Sequence, residues 1–230
     1  MTSSTLVHQF DDIPAHKKRF FRRQITIWFG KSKRTFLWRE TDNPYHILLA
    51  EILLQQTDAK KVSLVYTDFI QRYPNIVALA DAQKDGVQGF ISKIGLNYRT
   101  ERLINIAKEI TEKFAGQVPS SEYELLSLPG VGRYIANAVL SAGFGRRVAV
   151  VDTNVVRILE RFFGIRSQHS RPRTDPQVWC IARALLPRTS ADSRAWNYAL
   201  IDFCARVCTF YNPRCRGCVC ARYCWHFLSH

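Results

Sequence analysis

Apolar residues along this chain recur at helical spacing and show no sustained alternation, so the pattern predicts an all-α protein. Asn43-Pro44 ahead of YHILLAEILLQQT combines an N-cap, a first-turn proline and an apolar stretch, which together start a largely buried helix. Further helices are predicted over roughly 58–73, 76–82, 84–94, 100–114, 121–127, 133–142, 153–163, 176–186 and 195–207, separated by short Pro, Gly or polar breaks. Residues 166–175 read as a polar loop. No internal repeat, low-complexity tract or long linker interrupts the pattern.

Three places break it in ways that carry chemistry. Glu51 interrupts the run ILLAEILL, where a charge is costly to bury, so it is expected to line a cavity or carry a raised pKa. A hydrogen-bonded structural glutamate is the alternative. Leu128-Pro129-Gly130-Val131-Gly132 lies between two predicted helices. Its proline pre-sets a turn, its glycines allow positive φ and close approach, and the N–H groups opening the next helix are left to bind an anion. Read blandly, it is a helix–helix connector. Asp152, in RRVAVVDTNVVRIL, stands where an apolar run meets an amphipathic helix, the position of an N-cap with a lone pair to spare.

Charge narrows the partner. The chain of 230 residues has 33 Lys and Arg against 19 Asp and Glu, a formal net charge of +14, and a pI near 9.8. Such a field attracts phosphate backbones. The basic clusters His16-Lys17-Lys18-Arg19 with Arg22-Arg23, Lys31 to Arg34, and Arg216 with Arg222 are interleaved with aromatic residues instead of forming a tail. Hydrophobic residues make up 47% of the chain, ample for a core, and no apolar run is long enough to span a bilayer, so no membrane partner is expected.

Seven cysteines are present, and Cys208, Cys215, Cys218 and Cys224 close the chain at the spacing C-x6-C-x2-C-x5-C. The odd total, the length and a start without a charged and then apolar leader argue against a disulfide framework. Structural zinc usually takes two short knuckles, and here only Cys215 and Cys218 are so close, so an iron–sulfur cluster of the [4Fe–4S] type is favoured over zinc. Cys220 lies inside the loop and could compete as a ligand, while Cys180 and Cys204, in VWCIARALL and LIDFCARVC, are expected in the core. The thiol chemistry points to a reducing location, cytoplasmic and nucleoid-associated, with a nuclear or organellar one left open.

LPGVGRYIANAVLSAGFGRRVAVVDTNVVRIL resembles the helix-hairpin-helix, Gly/Pro-rich loop and catalytic aspartate of the endonuclease III superfamily of DNA glycosylases, and the cysteine spacing matches that superfamily's [4Fe–4S] loop. The match runs from about Phe36-Leu37-Trp38-Arg39 to Cys224. The resemblance implies a bilobal all-α fold: a six-helix lobe over 36–146 holding the hairpin, and a second lobe of 1–35 and 147–230 holding the cluster. It implies a monomer acting on double-stranded DNA containing a mismatch, with the target base flipped into the cleft between the lobes.

Bifunctional members place a lysine where this chain has Tyr134, so the resemblance implies a monofunctional glycosylase using water. Asp152 would stabilise the oxocarbenium-like sugar, and Glu51 would protonate the base or organise the water. Glu51-Ile52-Leu53-Leu54-Gln55-Gln56-Thr57 is similar to the MutY-type adenine branch, whereas Ile94-Gly95-Leu96-Asn97 is similar to the G·T-mismatch thymine branch. Only six residues follow Cys224, without room for the C-terminal domain of MutY-type enzymes, so thymine or uracil opposite guanine is expected over adenine. Gln55 and Gln56 are candidates to fill the gap left by the flipped base or to touch its partner, unless they merely end a helix. Leu128, Gly130, Val131, Gly132 and Arg133 would hold the strand, and Tyr98 and Arg99 could touch it. A non-catalytic DNA-binding module is the rival class; two carboxylates at such positions argue against it.

Overall fold

The computed structural model of this chain describes residues 13–229, and no strand forms among them. The helices in chain order are α1 (Ala15–Ser32), α2 (Pro44–Leu54), α3 (Ala59–Arg72), α4 (Ile76–Ala80), α5 (Lys84–Ile91), α6 (Arg99–Lys113), α7 (Glu122–Ser127), α8 (Arg133–Ala142), α9 (Thr153–Phe163), α10 (Pro176–Ala184), α11 (Ser190–Arg206) and α12 (Trp225–Leu228). Among the described residues no helix is long and apolar enough to cross a membrane. The described residues divide into two compact units, one of Thr35–Arg146 and one joining the segment up to Arg34 with that from Arg147 onward.

The Thr35–Arg146 unit is built round α2. Asn43 caps it, its Oδ1 accepting from the Tyr45 N–H at 2.9 Å, and Pro44 supplies the first turn. Ile47 through Leu53 are then buried without a break, because α3, α6 and α8 all pack on α2. A helix apolar all round is what a central position requires. At Gly143, just past α8, a Cβ would stand 2.9 Å from the Pro44 Cα, so the end of α8 meets the start of α2 at a distance only glycine permits.

The other unit packs α1, α9, α10 and α11 round one core. Phe21 of α1 lies against Phe162 of α9 at 4.4 Å between ring centres, and edge-on to Trp196 of α11 at 5.9 Å. Arg34 donates through its backbone N–H at 2.8 Å and its Nε at 2.7 Å to the fully buried Asp202 carboxylate.

Three sequence expectations need correction here. Helix α1 escaped prediction because only Phe21 and Ile25 are fully buried in its basic run and Pro14 gives no side-chain cap; packing on α11 supplies what local signals do not. Helix α11 begins at Ser190, ahead of the expected 195, because Thr189 accepts from the Asp192 N–H at 3.1 Å and nucleates the extra turn. Cys180, expected in the core, is exposed on α10, whereas Cys204 is buried.

Candidate active site

Asp152 is the N-cap of α9. Its Oδ1 accepts from the Val155 N–H at 2.7 Å, and its backbone is extended (φ −107°, ψ −176°), the usual conformation of a cap. Oδ2 accepts from Asn154 Nδ2 at 2.7 Å, and Asn154 Oδ1 in turn accepts from Arg157 Nη1 at 2.9 Å. Arg157 reaches on to the carbonyl of Cys208, through Nε at 3.1 Å and Nη2 at 2.9 Å, and to that of Cys204 at 3.3 Å. A carboxylate fixed at both oxygens keeps a further lone pair on each, aimed by the helix and not by a flexible stem. Asn154 and Arg157 were not singled out from the sequence. Their spacing of three on one helix face was the available signal, but their partner Cys208 lies far along the chain.

The hairpin belongs to the Thr35–Arg146 unit. Leu128 and Val131 are buried and anchor it, Gly130 adopts φ +75°, and Gly132 caps α8 without any side-chain hydrogen bond. With glycine at the cap position, no cap side chain competes at the start of α8, a helix N-terminus of the kind that suits an anion. At Gly130 a Cβ would fall 2.6 Å from Arg102 Nε, so glycine here admits the arginine as well as the turn. Arg133 Nε donates to Glu122 Oε1 at 3.1 Å, and Tyr134 follows it, half-buried, on α8.

Glu51 lies in the middle of α2 at 8% exposure; its Oε2 is buried without a hydrogen bond, although the residue has another interaction. Beyond it, α2 ends in a turn held from below by Arg99. That side chain is fully buried and Nη1 donates to the Leu53 carbonyl at 2.8 Å and to Thr57 Oγ1 at 2.7 Å. Arg99 is therefore enclosed in the protein, a correction to its reading as a contact residue. The two glutamines of the turn part company. Gln55 is committed, Oε1 accepting from Arg102 Nη1 at 2.9 Å and Nε2 donating to the Gly130 carbonyl at 3.3 Å, which ties the turn to the hairpin. Gln56 is exposed at the tip with φ +55°, a conformation a non-glycine residue rarely adopts.

In the other unit Cys208, Cys218 and Cys224 pack against the core, and the thiols sense one another: burial first, then Cys218 and Cys208, push the Cys215 and Cys224 thiols up. Hydrogen bonding from Cys220 lowers the Cys218 thiol to about 7, and the Cys220 backbone N–H donates to Cys218 Sγ at 3.4 Å. Arg161 Nη1 stands 3.6 Å from Cys208 Sγ and donates to the Thr209 carbonyl at 2.6 Å, bringing positive charge to the loop. Among the described residues no three His, Cys, Asp or Glu side chains converge on a point that could hold one metal ion. A four-iron cluster takes one thiolate at each iron, and this set of neighbouring thiols with arginine beside it is a donor set such a cluster accepts.

Residues 49–183 match the family described as HhH-GPD superfamily base excision DNA repair protein. The chain is 39% identical to the thymine-DNA glycosylase of Aeropyrum pernix over 86% of its own length and 89% of that protein's. It is 32% identical to an adenine DNA glycosylase of Buchnera aphidicola, over 91% of its own length and 59% of that protein's. The solved structure of a thermostable thymine-DNA glycosylase superimposes with a TM-score of 0.88 at 33% identity, covering 94% of this chain and 98% of that one. With a hairpin of this geometry ahead of a capping aspartate and a match of this extent, the chain belongs to the HhH-GPD superfamily of base excision DNA repair proteins.

Proposed function

We propose that this protein is a monofunctional DNA glycosylase that hydrolyses the N-glycosidic bond of thymine or uracil mispaired with guanine in duplex DNA. The observation that carries the reading is the Asp152 carboxylate, held at both oxygens by Val155 and Asn154 at the head of α9. Such a group can stabilise the positive charge that develops on the sugar as the bond to the base breaks. The bonding electron pair leaves with the base, water adds its hydroxyl to C1′, and the proton water gives up ends on the base. Glu51, enclosed in α2, serves as the acid or base for that proton or holds the water. Tyr134, in place of an amine, offers no Schiff-base route, so an intact abasic site is the product. The hairpin's Gly130 and Gly132 and the head of α8 grip the strand, and Gln56 at its exposed turn enters the gap left by the base.

Thymine or uracil is favoured over adenine because the identity and the share of the relative that is covered are both greater with the thymine enzyme. Cys208, Cys215, Cys218 and Cys224 are proposed to hold a [4Fe–4S] cluster, whose contribution is to order the loop carrying Arg216 and Arg222 for DNA contact. The protein is proposed to act as a monomer.

Duplexes carrying G·T, G·U, A·G and A·8-oxoguanine pairs, assayed with and without alkali, test the reading. Abasic product from G·T and G·U that breaks only in alkali is expected. Product from the adenine pairs alone would move the chain to the other branch, breakage without alkali would reveal an amine nucleophile, and no product from any pair would make it a DNA-binding module. Iron and a brown colour in the purified protein are expected; stoichiometric zinc would overturn the cluster.

A further inference from the structure

On the unit that contains α1 and α11, a cleft of about 570 Å³ lies where these two helices pack. Its rim holds four guanidinium groups, Arg19, Arg22 and Arg23 from α1 and Arg188 ahead of α11. Among the described residues none of the four has a carboxylate partner, and Arg22 donates to the Leu186 carbonyl at 3.5 Å. Asp192, the carboxylate among the described lining residues, is taken by the cap of α11, accepting from Thr189 Oγ1 at 2.6 Å. Between the arginines the floor is apolar, made by Trp196, Phe29, Ala199 and an Ile27 left 46% exposed.

We infer that this cleft docks an acidic peptide segment of a partner protein, one that carries an apolar or aromatic anchor between its carboxylates. Guanidinium forks pair with carboxylates at two points, and among the described residues the basic groups of the rim are all arginines. An anchor side chain covers Ile27 and fills the floor, which is the division of labour between buried anchor and polar rim found at protein interfaces. The volume suits a short segment of chain. DNA matches the charge but not the shape or the floor, because a duplex presents its phosphates on a broad convex surface and leaves an apolar recess uncovered. None of these residues belongs to the groups assigned above to excision, so the inference stands apart from that reading.

The test uses a fluorescein-labelled nonapeptide of aspartates with two phenylalanines, and a control with serine for phenylalanine, titrated into the full chain and followed by anisotropy. The phenylalanine peptide is expected to bind at least about tenfold tighter than the control. R19E/R23E reverses half of the rim and is expected to weaken it about tenfold or more. Ala195→Phe, at an exposed lining position, fills the cleft without changing charge and is expected to do the same while the peptide control is unmoved. Thermal unfolding should match wild type in both variants, and turnover of a mispaired duplex should match it in Ala195→Phe. Equal binding of the two peptides, or binding indifferent to Ala195→Phe, would reduce the cleft to a patch of charge. Competition by plain duplex DNA, with DNA affinity falling in R19E/R23E by the same factor as peptide affinity, would make it a DNA contact and overturn the inference.

Discussion

Asn154 Nδ2 donates to Asp152 Oδ2 at 2.7 Å, and the same amide's oxygen accepts from Arg157 at 2.9 Å, so the carboxylate proposed to face the sugar is tied through two side chains to the Cys208 carbonyl. The amide sets the carboxylate's rotation, which the backbone bond to Oδ1 alone leaves open. Asn154→Ala is therefore expected to keep the helix, since the Val155 bond persists, and to slow excision. A hydrogen bond to a charged group contributes about 1.5–3 kcal/mol, which corresponds to roughly ten- to a hundredfold in rate. Single-turnover excision of a G·U duplex reads the rate and thermal unfolding reads the fold. An unchanged rate would show that Asp152 is oriented without its neighbour.

Asp152→Asn separates the two things the residue does. Asparagine caps a helix about as well as aspartate, so stability should change by less than about 1 kcal/mol. Its neutral amide cannot offset positive charge on the sugar, and excision should fall by about a hundred- to a thousandfold, the scale on which one electrostatic stabiliser is lost elsewhere. If excision persisted near the wild-type rate in a folded protein, the assignment of Asp152 would fail even though the family stands.

Much of this arrangement was legible from residues close in the chain. The cap at Asn43, the bend at 128–132 and the cap at Asp152 arise from interactions over four residues or fewer, which local spacing reports directly, and the burial of α2 shows in its unbroken apolar run. What lay beyond reach depends on partners far apart. Arg157 gives no hint of Cys208, 51 positions away; Arg99 reads as a surface arginine until the carbonyl of Leu53 and the hydroxyl of Thr57 are placed over it. The separation of Gln55 from Gln56 follows the same logic, because nothing in the pair says that one amide will be spent on Arg102 and Gly130. Helix α1 failed for the converse reason: six of its eighteen residues are Lys or Arg, and its two fully buried side chains acquire meaning only against α9 and α11.

Gly130→Ala tests the hairpin. The new methyl group meets the backbone at φ +75° and the Arg102 side chain at 2.6 Å, so either the arginine leaves Gln55 or the turn opens. A left-handed non-glycine residue costs about 1–2 kcal/mol before any displacement, and a loss of stability of at least that size is expected. Affinity for plain duplex DNA should fall with it, and the loss should be greater at low salt, where phosphate contacts count most. Calorimetry and a binding titration at two salt concentrations measure both. Undiminished DNA affinity in the destabilised protein would remove the hairpin from the DNA surface.

Gln56→Gly sets stability against function at one residue. Glycine adopts φ near +55° without the clash a Cβ brings, a relief of about 1–2 kcal/mol, which its greater freedom in the unfolded chain offsets by roughly 0.5–1 kcal/mol. Stability should therefore hold or rise slightly. The amide, however, disappears from the exposed tip of the turn that Arg99 supports and Gln55 ties to the hairpin. Should that amide fill the space vacated by the flipped base, excision from duplex DNA falls at least about tenfold, while excision from the same mispaired base in an already opened bubble falls far less, because there is no stack to restore. A strained conformation kept at a working position has this signature: the protein improves as a folded object and worsens as an enzyme. Equal losses on duplex and bubble would place Gln56 in the chemistry and not in base extrusion, and no loss on either would leave its left-handed backbone a matter of the turn alone.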